Sequence, residues 1–317
     1  MSNPRIAYEL ADERARLAPP GGKPLIVHVV VNVEVWPFDQ PMPRGILSPP
    51  HGQAAVPDIP NWSWAEYGLR VGMARLFRAL RGVPVTCAIN SGVIRTYPRL
   101  AERILEAKWE WMGHGVIQRS VKSVPDERAM ITEALDEIVT YTGKKVRGWL
   151  GPGLQETFDT PDILKELGLD YVCEWCLDDL PSWMTTRHGP LVSIPYGLET
   201  NDSVIYAQER HPTSEMFERL ELTLECYLRE IETGPRILHI PLHPHLVGVP
   251  HRIGRLERFL AALRKHKEVI FLTGGAIVDW FASAMPHKTG AAVSKRPARS
   301  SSGARTSAAS SSKADAD

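Results

Sequence analysis

The chain has 317 residues, of which 43% are hydrophobic and 23% charged, and its 37 basic and 37 acidic residues give a formal net charge of zero. This balance is typical of globular enzymes and excludes the strongly basic proteins that bind nucleic acids or anionic membranes. No apolar run approaches the roughly 20 residues of a membrane helix, and the first residues lack the apolar core of a secretory signal. We therefore expect a cytoplasmic protein without a membrane or nucleic-acid partner.

Three regions differ in composition. Residues 1–23 are expected to form an N-terminal extension with a short amphipathic helix from Arg5 to Leu17, ended by a Pro-Pro-Gly-Gly run. Residues 24–285 carry alternating apolar segments and are long enough for one α/β barrel of about 250 residues. Residues 286–317 consist mainly of Lys, Arg, Ser, Ala and Gly. Because such a tail cannot bury enough apolar surface, it is predicted to be disordered.

The first strand is the clearest element of the sequence. Residues 25–31 form an almost unbroken β-branched and aliphatic run, which is typical of a strand buried on both faces. Asn32 and Glu34 follow two residues apart, so both side chains leave the same face. A carboxylate at the end of a buried strand indicates a site, because parallel α/β folds carry their chemistry there. The alternative is a solvated residue at a strand end.

A proline-rich segment follows from Pro37 to Trp64. Its prolines are expected to exclude both helix and interior strand, and a long loop inside a compact domain is usually functional. Since it leaves the strand at Glu34, we expect it to form a wall or lid over a site.

The rest of the chain alternates between helical and strand patterns. Helices are predicted at 64–80, 98–107, 125–142, 162–167, 216–232, 255–265 and 277–283, and further strands at 83–90, 109–114, 146–150, 171–175, 237–241 and 269–272. This alternation predicts βα units and a parallel sheet of about seven strands. The predicted fold class is therefore α/β.

Several polar residues come directly after predicted strands. They are Glu34, His114, Asp178, Asp179, His243 and His245. Each has an ordinary structural explanation: a turn histidine between glycines, helix or turn caps, or a satisfied histidine pair. Their convergence at one rim of a βα barrel favours a shared site instead.

Two other motifs do not indicate cofactor sites. Cys173 and Cys176 have CxxC spacing, but without a second CxxC in the chain they are expected to be core thiols, and the four cysteines to be free. The glycine pairs lack the strand–GxGxxG–helix context of a dinucleotide site.

Five stretches carry a resemblance to a known family. They are VNVEVWPFDQP at 31–41, NWSWAEYGLRVGMARL at 61–76, GHG at 113–115, RGWLGPGLQETFDTPDILKELGLDYVCEWCLDDLPSWM at 147–184 and LHIPLHPHLVGVPHRIGRLERFL at 238–260. In these stretches the chain resembles the polysaccharide deacetylase (NodB-homology) superfamily, and within it the branch of cofactor-independent allantoinases and cyclic-imide hydrolases. The resemblance implies a distorted (β/α) barrel of about seven strands over nearly all of residues 24–285.

The resemblance also implies site residues. Metal-dependent members have carboxylates on the first strand, a His-x-x-x-His pair on the third and a late catalytic histidine. Here Glu34 matches the metal carboxylate, His114 the first histidine and His243 the late one. Asn32 stands where some members have a base, and Gln118 replaces the second metal histidine. Glutamine is a poor ligand for zinc beside imidazole, so we expect no cofactor, or at most a weakly held divalent metal on Glu34, His114 and Gln118.

The roles expected from this match concern the addition of water to a carbonyl. Glu34 activates or orients the water, His114 fixes its position, and His243 acts as general acid or oxyanion donor. Asp179 orients His243 or binds substrate N–H groups. The remaining residues expected to bind the substrate or shape its pocket are Asn32, Arg70, Gln118, Trp149 and His245.

Three functions follow as hypotheses. The first is a hydrolase that opens a small cyclic amide such as a ureide, hydantoin or imide. The second is a metal-dependent N-deacetylase of an N-acetyl sugar or oligosaccharide, and the third is an inactive barrel used for binding. The resemblance further implies a homo-oligomer.

Overall fold

One sheet of nine strands organises the protein, and the computed structural model describes residues 3–48 and 56–287. In those residues the strands are β1 (Leu25–Val33), β2 (Val85–Ile89), β3 (Glu110–Gly113), β4 (Gly148–Trp149), β5 (Tyr171–Val172), β6 (Ser182–Thr186), β7 (Gly189–Ser193), β8 (Arg236–Leu242) and β9 (Val269–Phe271). The predicted disordered tail lies, from residue 288 onward, outside the described residues.

Helices follow most of the strands. Within the described ranges they are α1 (Ile59–Tyr67), α2 (Met73–Ala79), α3 (Val93–Thr96), α4 (Pro98–Glu106), α5 (Glu127–Thr142), α6 (Thr160–Glu166), α7 (Glu215–Glu230), α8 (Pro250–Leu263) and α9 (Gly274–Ala284). In residues 3–48 and 56–287 there is no helix with the length and apolar character needed to cross a membrane.

The sheet has the connectivity of a distorted (β/α) barrel. Its strand order is β6–β7–β5–β4–β3–β2–β1–β8, and β9 pairs with residues 25–27 of β1. All pairs are parallel except β6 with β7, an antiparallel hairpin at one edge. The predicted α/β barrel is confirmed. The hairpin at 182–193 was not predicted, and it accounts for the two strands beyond the expected seven.

Strand β1 is buried along its whole length, as its composition predicted. Its odd-numbered residues from Leu25 to Val33 pack in the apolar layer that contains the helices, whereas Ile26 and Val30 pack in the second apolar cluster, on the other face. Since alternate residues of a strand share a face, Asn32 and Glu34 point to the side of Ile26 and Val30. The strand therefore places polar side chains inside the barrel, at its carboxyl end.

The predicted N-terminal helix from Arg5 to Leu17 is wrong. The segment contains a single 3-10 turn at Ala11–Glu13, flanked by extended residues. The Arg5 guanidinium is held by the Asp162 carboxylate, and Arg14 pairs with Asp178. Short helices are marginal in isolation, and these long-range ion pairs favour the extended conformation.

The proline-rich segment becomes helical earlier than expected, at Ile59. Proline is tolerated in the first turn of a helix, and the carboxylate of Asp58 caps that turn by accepting from the Asn61 N–H. Between α1 and α2, residues 68–72 form a π-helical turn. A Cβ at Gly68 would lie 2.4 Å from the backbone nitrogen of His245, so glycine is needed for the helix to approach the loop after β8.

Candidate active site

A cavity of about 580 Å³ lies where the carboxyl ends of β1, β3, β4 and β8 meet. Its lining comes from residues 32–44, 114–123, 150–155, 196–208 and 243–245. Pro37 and Arg44 belong to this lining, so the described part of the proline-rich segment forms a wall of the cavity. Of the six residues predicted to converge, Glu34, His114, His243 and His245 line this cavity, whereas Asp178 and Asp179 do not.

The carboxylate of Glu34 lies between two imidazoles. Its Oε1 is 3.6 Å from Nε2 of His114 and 3.7 Å from Nε2 of His243, and its Oε2 accepts a hydrogen bond of 2.8 Å from the Trp36 indole N–H. Burial raises the pKa of Glu34, but His114, His243 and His245 lower it by more, to about 2. Glu34 is therefore a carboxylate at any ordinary pH.

The two ring nitrogens of His114 differ in their hydrogen bonding. Its Nδ1 is in contact with the carbonyl oxygen of Leu150 and must donate to it, while its buried Nε2 has no hydrogen-bond partner among the described residues. Asn90 joins the ends of β1 and β3, since its Oδ1 accepts from the Val35 N–H and its amide donates to the His114 carbonyl. With Nδ1 donating to that carbonyl, Nε2 is the ring nitrogen left free to act in the cavity.

His243 is held by Asp202, a residue that sequence reasoning missed. One Asp202 oxygen lies 2.7 Å from Nδ1 of His243, and the other accepts the His243 backbone N–H at 2.7 Å. Burial lowers the pKa of His243, but the charge and hydrogen bond of Asp202, followed by the charge of Glu34, raise it above its usual 6.5. Because Asp202 precedes a π-helical turn rather than ending a predicted strand, no sequence signal marked it.

Asp179 was predicted to orient His243, and this prediction is wrong. The Asp179 side chain is about half exposed and accepts a hydrogen bond of 2.7 Å from the Tyr227 hydroxyl. Its carbonyl accepts from the N–H of Ile237, near the start of β8, whereas His243 follows the end of that strand. The chain after β5 therefore carries Asp179 away from the cavity.

The predicted substrate-binding residues divide into two groups. Asn32, Gln118 and His245 line the cavity, but Arg70 and Trp149 do not. Arg70 is exposed and pairs with Glu66 at 2.8 Å. Trp149 is fully buried in the outer apolar layer. Alternation along β4 explains the second error, because the residue that reaches the cavity is Leu150.

The three lining residues have distinct surroundings. The Asn32 amide donates to the Tyr196 hydroxyl at 2.7 Å, and the buried Oε1 of Gln118 has no partner among the described residues. His245 packs edge-on against Trp36 and Trp64, with ring centroids 5.3 and 4.6 Å apart. Burial and the charge of His243 lower the pKa of His245 to about 3, so this ring stays neutral.

The donor set at Glu34 does not fit a tightly held metal. Within residues 3–48 and 56–287 there is no group of three or more His, Cys, Asp or Glu side chains that could hold a metal ion. Oε2 of Glu34 already accepts a hydrogen bond from the Trp36 indole N–H. Gln118 would offer zinc an amide oxygen, which is a poorer ligand than an imidazole. The four cysteines are free thiols, as predicted, and they lie outside the cavity lining. Of the two predicted core thiols, Cys173 is buried and Cys176 is half-buried.

Two solved structures share this fold over most of the chain. An allantoinase (PuuE) superposes with a TM-score of 0.80 and 24% identity over 91% of this chain and 100% of its own. A probable polysaccharide deacetylase from Pseudomonas aeruginosa PAO1 gives a TM-score of 0.78 and 25% identity over 87% of this chain and 97% of its own. The predicted resemblance to polysaccharide deacetylases is confirmed, and the allantoinase shares the fold of this chain.

Sequence comparisons add nothing to this assignment. No family model matches the chain, and no curated protein is similar to it at the level of sequence.

Proposed function

We propose that the protein hydrolyses the carbon–nitrogen bond of a small cyclic amide, of the ureide, hydantoin or imide type. One observation carries the proposal: the Glu34 carboxylate lies within 3.7 Å of two imidazole Nε2 atoms, one of them on a histidine held by a buried aspartate. The cavity of about 580 Å³ has the size of a small-molecule site. The similarity to an allantoinase supports the substrate class.

Amide hydrolysis needs a group that accepts a proton from water, and His114 suits this step. A carboxylate with a pKa of about 2 is a weak base, whereas imidazole is a stronger one, and Nε2 of His114 lies 3.6 Å from the Glu34 carboxylate. In the proposed step, Glu34 orients the water and His114 takes its proton while the water oxygen attacks the carbonyl carbon. Glu34 then stabilises the imidazolium that forms.

The departing nitrogen needs a proton, and His243 suits this second step. Asp202 accepts the Nδ1–H and favours the protonated ring, so Nε2 carries a proton toward the cavity. As the carbon–nitrogen bond breaks, that proton passes to the nitrogen, and the ring opens to a carboxylate and an amine or amide. The two histidines therefore take opposite roles because their Nδ1 partners differ: a neutral carbonyl and a carboxylate.

We also propose that this chemistry needs no tightly bound metal. The donor set supports the proposal, since Gln118 stands four residues after His114 and one Glu34 oxygen is engaged by Trp36.

N-deacetylation of an N-acetyl sugar is the second candidate. The 25% identity to a probable polysaccharide deacetylase favours it. It requires the same addition of water to an amide carbonyl, but an open substrate and, in metal-dependent members, a divalent ion. Cytoplasmic location stays a prediction from the sequence, and homo-oligomeric assembly stays a prediction from the family resemblance.

The direct test is a hydrolysis panel of hydantoins, ureides, cyclic imides and N-acetyl sugars, with Glu34→Gln as the matched variant. The amide is nearly isosteric with the carboxylate but carries no charge. We expect ring opening by the unmodified protein and a loss of roughly 10²- to 10⁴-fold in kcat for the variant, the usual contribution of a positioned acid–base system.

Three outcomes distinguish the candidates. Hydrolysis of N-acetyl sugars alone would move the second candidate to the front. Turnover that survives Glu34→Gln would remove Glu34 from the mechanism. No turnover on either class would leave the inactive binding barrel.

A further inference from the structure

The cavity has an excess of positive charge. Among its described lining residues, Glu34 is the only acidic one, and Arg44 and Arg119 are both part of the wall. The protonated form of His243 adds to this excess, because its own counter-charge, Asp202, lies behind the ring and outside the lining. A neutral amide alone would leave this positive charge without a partner.

Arg44 is the arginine that reaches the reacting groups electrostatically. Its charge is among the influences that lower the pKa of both His243 and His245. It lies on the wall formed by the proline-rich segment and is half-buried there. Arg119, by contrast, is exposed.

Neither cavity arginine is neutralised by the protein that the structure describes. In residues 3–48 and 56–287, Arg44 and Arg119 take part in no ion pair with a carboxylate. Other arginines of the chain do: Arg5 pairs with Asp162 and Arg147 with Asp170 and Asp279. The Arg44 guanidinium, half-buried at the wall of a polar cavity, therefore lacks the carboxylate partner that Arg5 and Arg147 have.

We propose that the substrate carries a carboxylate that binds the guanidinium of Arg44 while its amide carbonyl lies against Glu34 and His114. The proposal rests on the proposed function and names its substrate class: a cyclic amide with an acidic substituent. A planar carboxylate matches the two-pronged donor geometry of arginine. The second positive charge, Arg119, lies on the exposed side and attracts the same anion before it enters.

A matched pair of ligands tests this inference: hydantoin-5-acetate and its uncharged amide, hydantoin-5-acetamide. Affinity is measured by calorimetry in the Glu34→Gln background, so that turnover does not consume the ligand. We expect the acid to bind roughly 10- to 100-fold more tightly than the amide, as a charge-assisted hydrogen bond gives. The preference should disappear with Arg44→Gln and persist in part with Arg44→Lys.

The control variant is Arg78→Gln. Arg78 is exposed on α2 and lies outside the cavity lining. Its substitution changes the net charge by the same amount as Arg44→Gln but does not alter the cavity wall. Equal affinities for acid and amide, a preference that survives Arg44→Gln, or binding of neither ligand would overturn the inference. Equal losses of kcat on both ligands with Arg44→Gln would also overturn it, because they would indicate a role in the transition state.

Turnover in the unmodified protein separates this inference from the proposed function. If neutral hydantoins are opened as well as acidic ones, the proposed function stands and the carboxylate inference fails. If the acid binds through Arg44 but no cyclic amide is hydrolysed, the carboxylate site stands and the proposed function fails.

Discussion

Two buried clusters contain histidines, one midway along β1 and β8 and one beyond the carboxyl ends of β1, β3 and β8, and they have opposite chemistry. The inner cluster consists of His28, Thr86 and His239. His28 lies next to His239 in the register of β1 and β8, with their Nδ1 atoms 3.4 Å apart, and the Thr86 hydroxyl lies 3.0 Å from the other His28 nitrogen. The site cluster consists of Glu34, His114, Asp202 and His243.

The two clusters differ in what surrounds the rings. Burial lowers the pKa of His28 to about 3, and burial followed by the neighbouring His28 lowers that of His239. His243 is buried as well, but Asp202 and Glu34 reverse the effect and raise its pKa. Burial alone therefore makes a neutral structural histidine, whereas a carboxylate beside the ring and a cavity in front of it make an acid.

Substitutions in the two clusters are expected to differ most in their effect on turnover. His243→Gln should lower kcat by roughly 10²- to 10⁴-fold, because the leaving nitrogen loses its acid. The matched control is His28→Gln in the inner cluster. It should leave kcat of the folded protein within about twofold and instead lower the free energy of unfolding by about 1–3 kcal/mol, since a buried hydrogen bond is disturbed. Denaturant titration and steady-state kinetics measure the two effects, and an inactive but stable His28→Gln would show that the clusters are not separate.

A smaller effect tests why His243 is an acid. The ring must be protonated to donate, so kcat/KM should fall as the pH rises through the raised pKa of His243. Asp202→Asn removes the charge that raises this pKa, so the alkaline limb of the pH profile should move to lower pH and kcat should fall by roughly 10- to 100-fold.

The control for that variant is Asp179→Asn, which removes a carboxylate of the same size outside the cavity. We expect its profile to match that of the unmodified protein. If the alkaline limb of the pH profile does not move with Asp202→Asn, then the Asp202–His243 pair is not the origin of that limb. Glu34, with a pKa of about 2, should contribute no limb in the ordinary assay range.

The smallest expected effect on turnover comes from Gln118, which we assign to the cavity wall. Gln118→His should restore an imidazole four residues after His114 and raise the affinity for zinc, as measured by calorimetry with the metal alone. Turnover without added metal should change by less than the loss seen with Asp202→Asn. Zinc affinity that is already high with Gln118 would contradict our interpretation of the donor set.

The sequence predicted the part of the site that local periodicity controls. Glu34 and Asn32 were found because β1 is a recognisable buried strand and residues two apart share a face. His114 and His243 were found because they come directly after strands. The prediction for Trp149 was wrong by one residue in the register of β4. In a strand, a shift of one residue moves a side chain to the other face.

The missed residues depend on contacts distant in the chain. Asp202 reaches His243 across 41 residues from a segment with no strand or helix period, so only the folded chain identifies it. The N-terminal segment is similar: its helical pattern was real, but the ion pairs of Arg5 and Arg14 with residues more than a hundred positions away determine its conformation.

The most direct test of metal-independent hydrolysis at Glu34 is cyclic-amide turnover by protein whose metal content has been measured before and after treatment with a chelator. We expect ring opening at an unchanged rate in metal-free protein, and loss of this activity with Glu34→Gln. A rate that disappears with the chelator and returns with stoichiometric zinc would contradict it, because Glu34 and His114 would then act as metal ligands rather than as the groups that orient and deprotonate water.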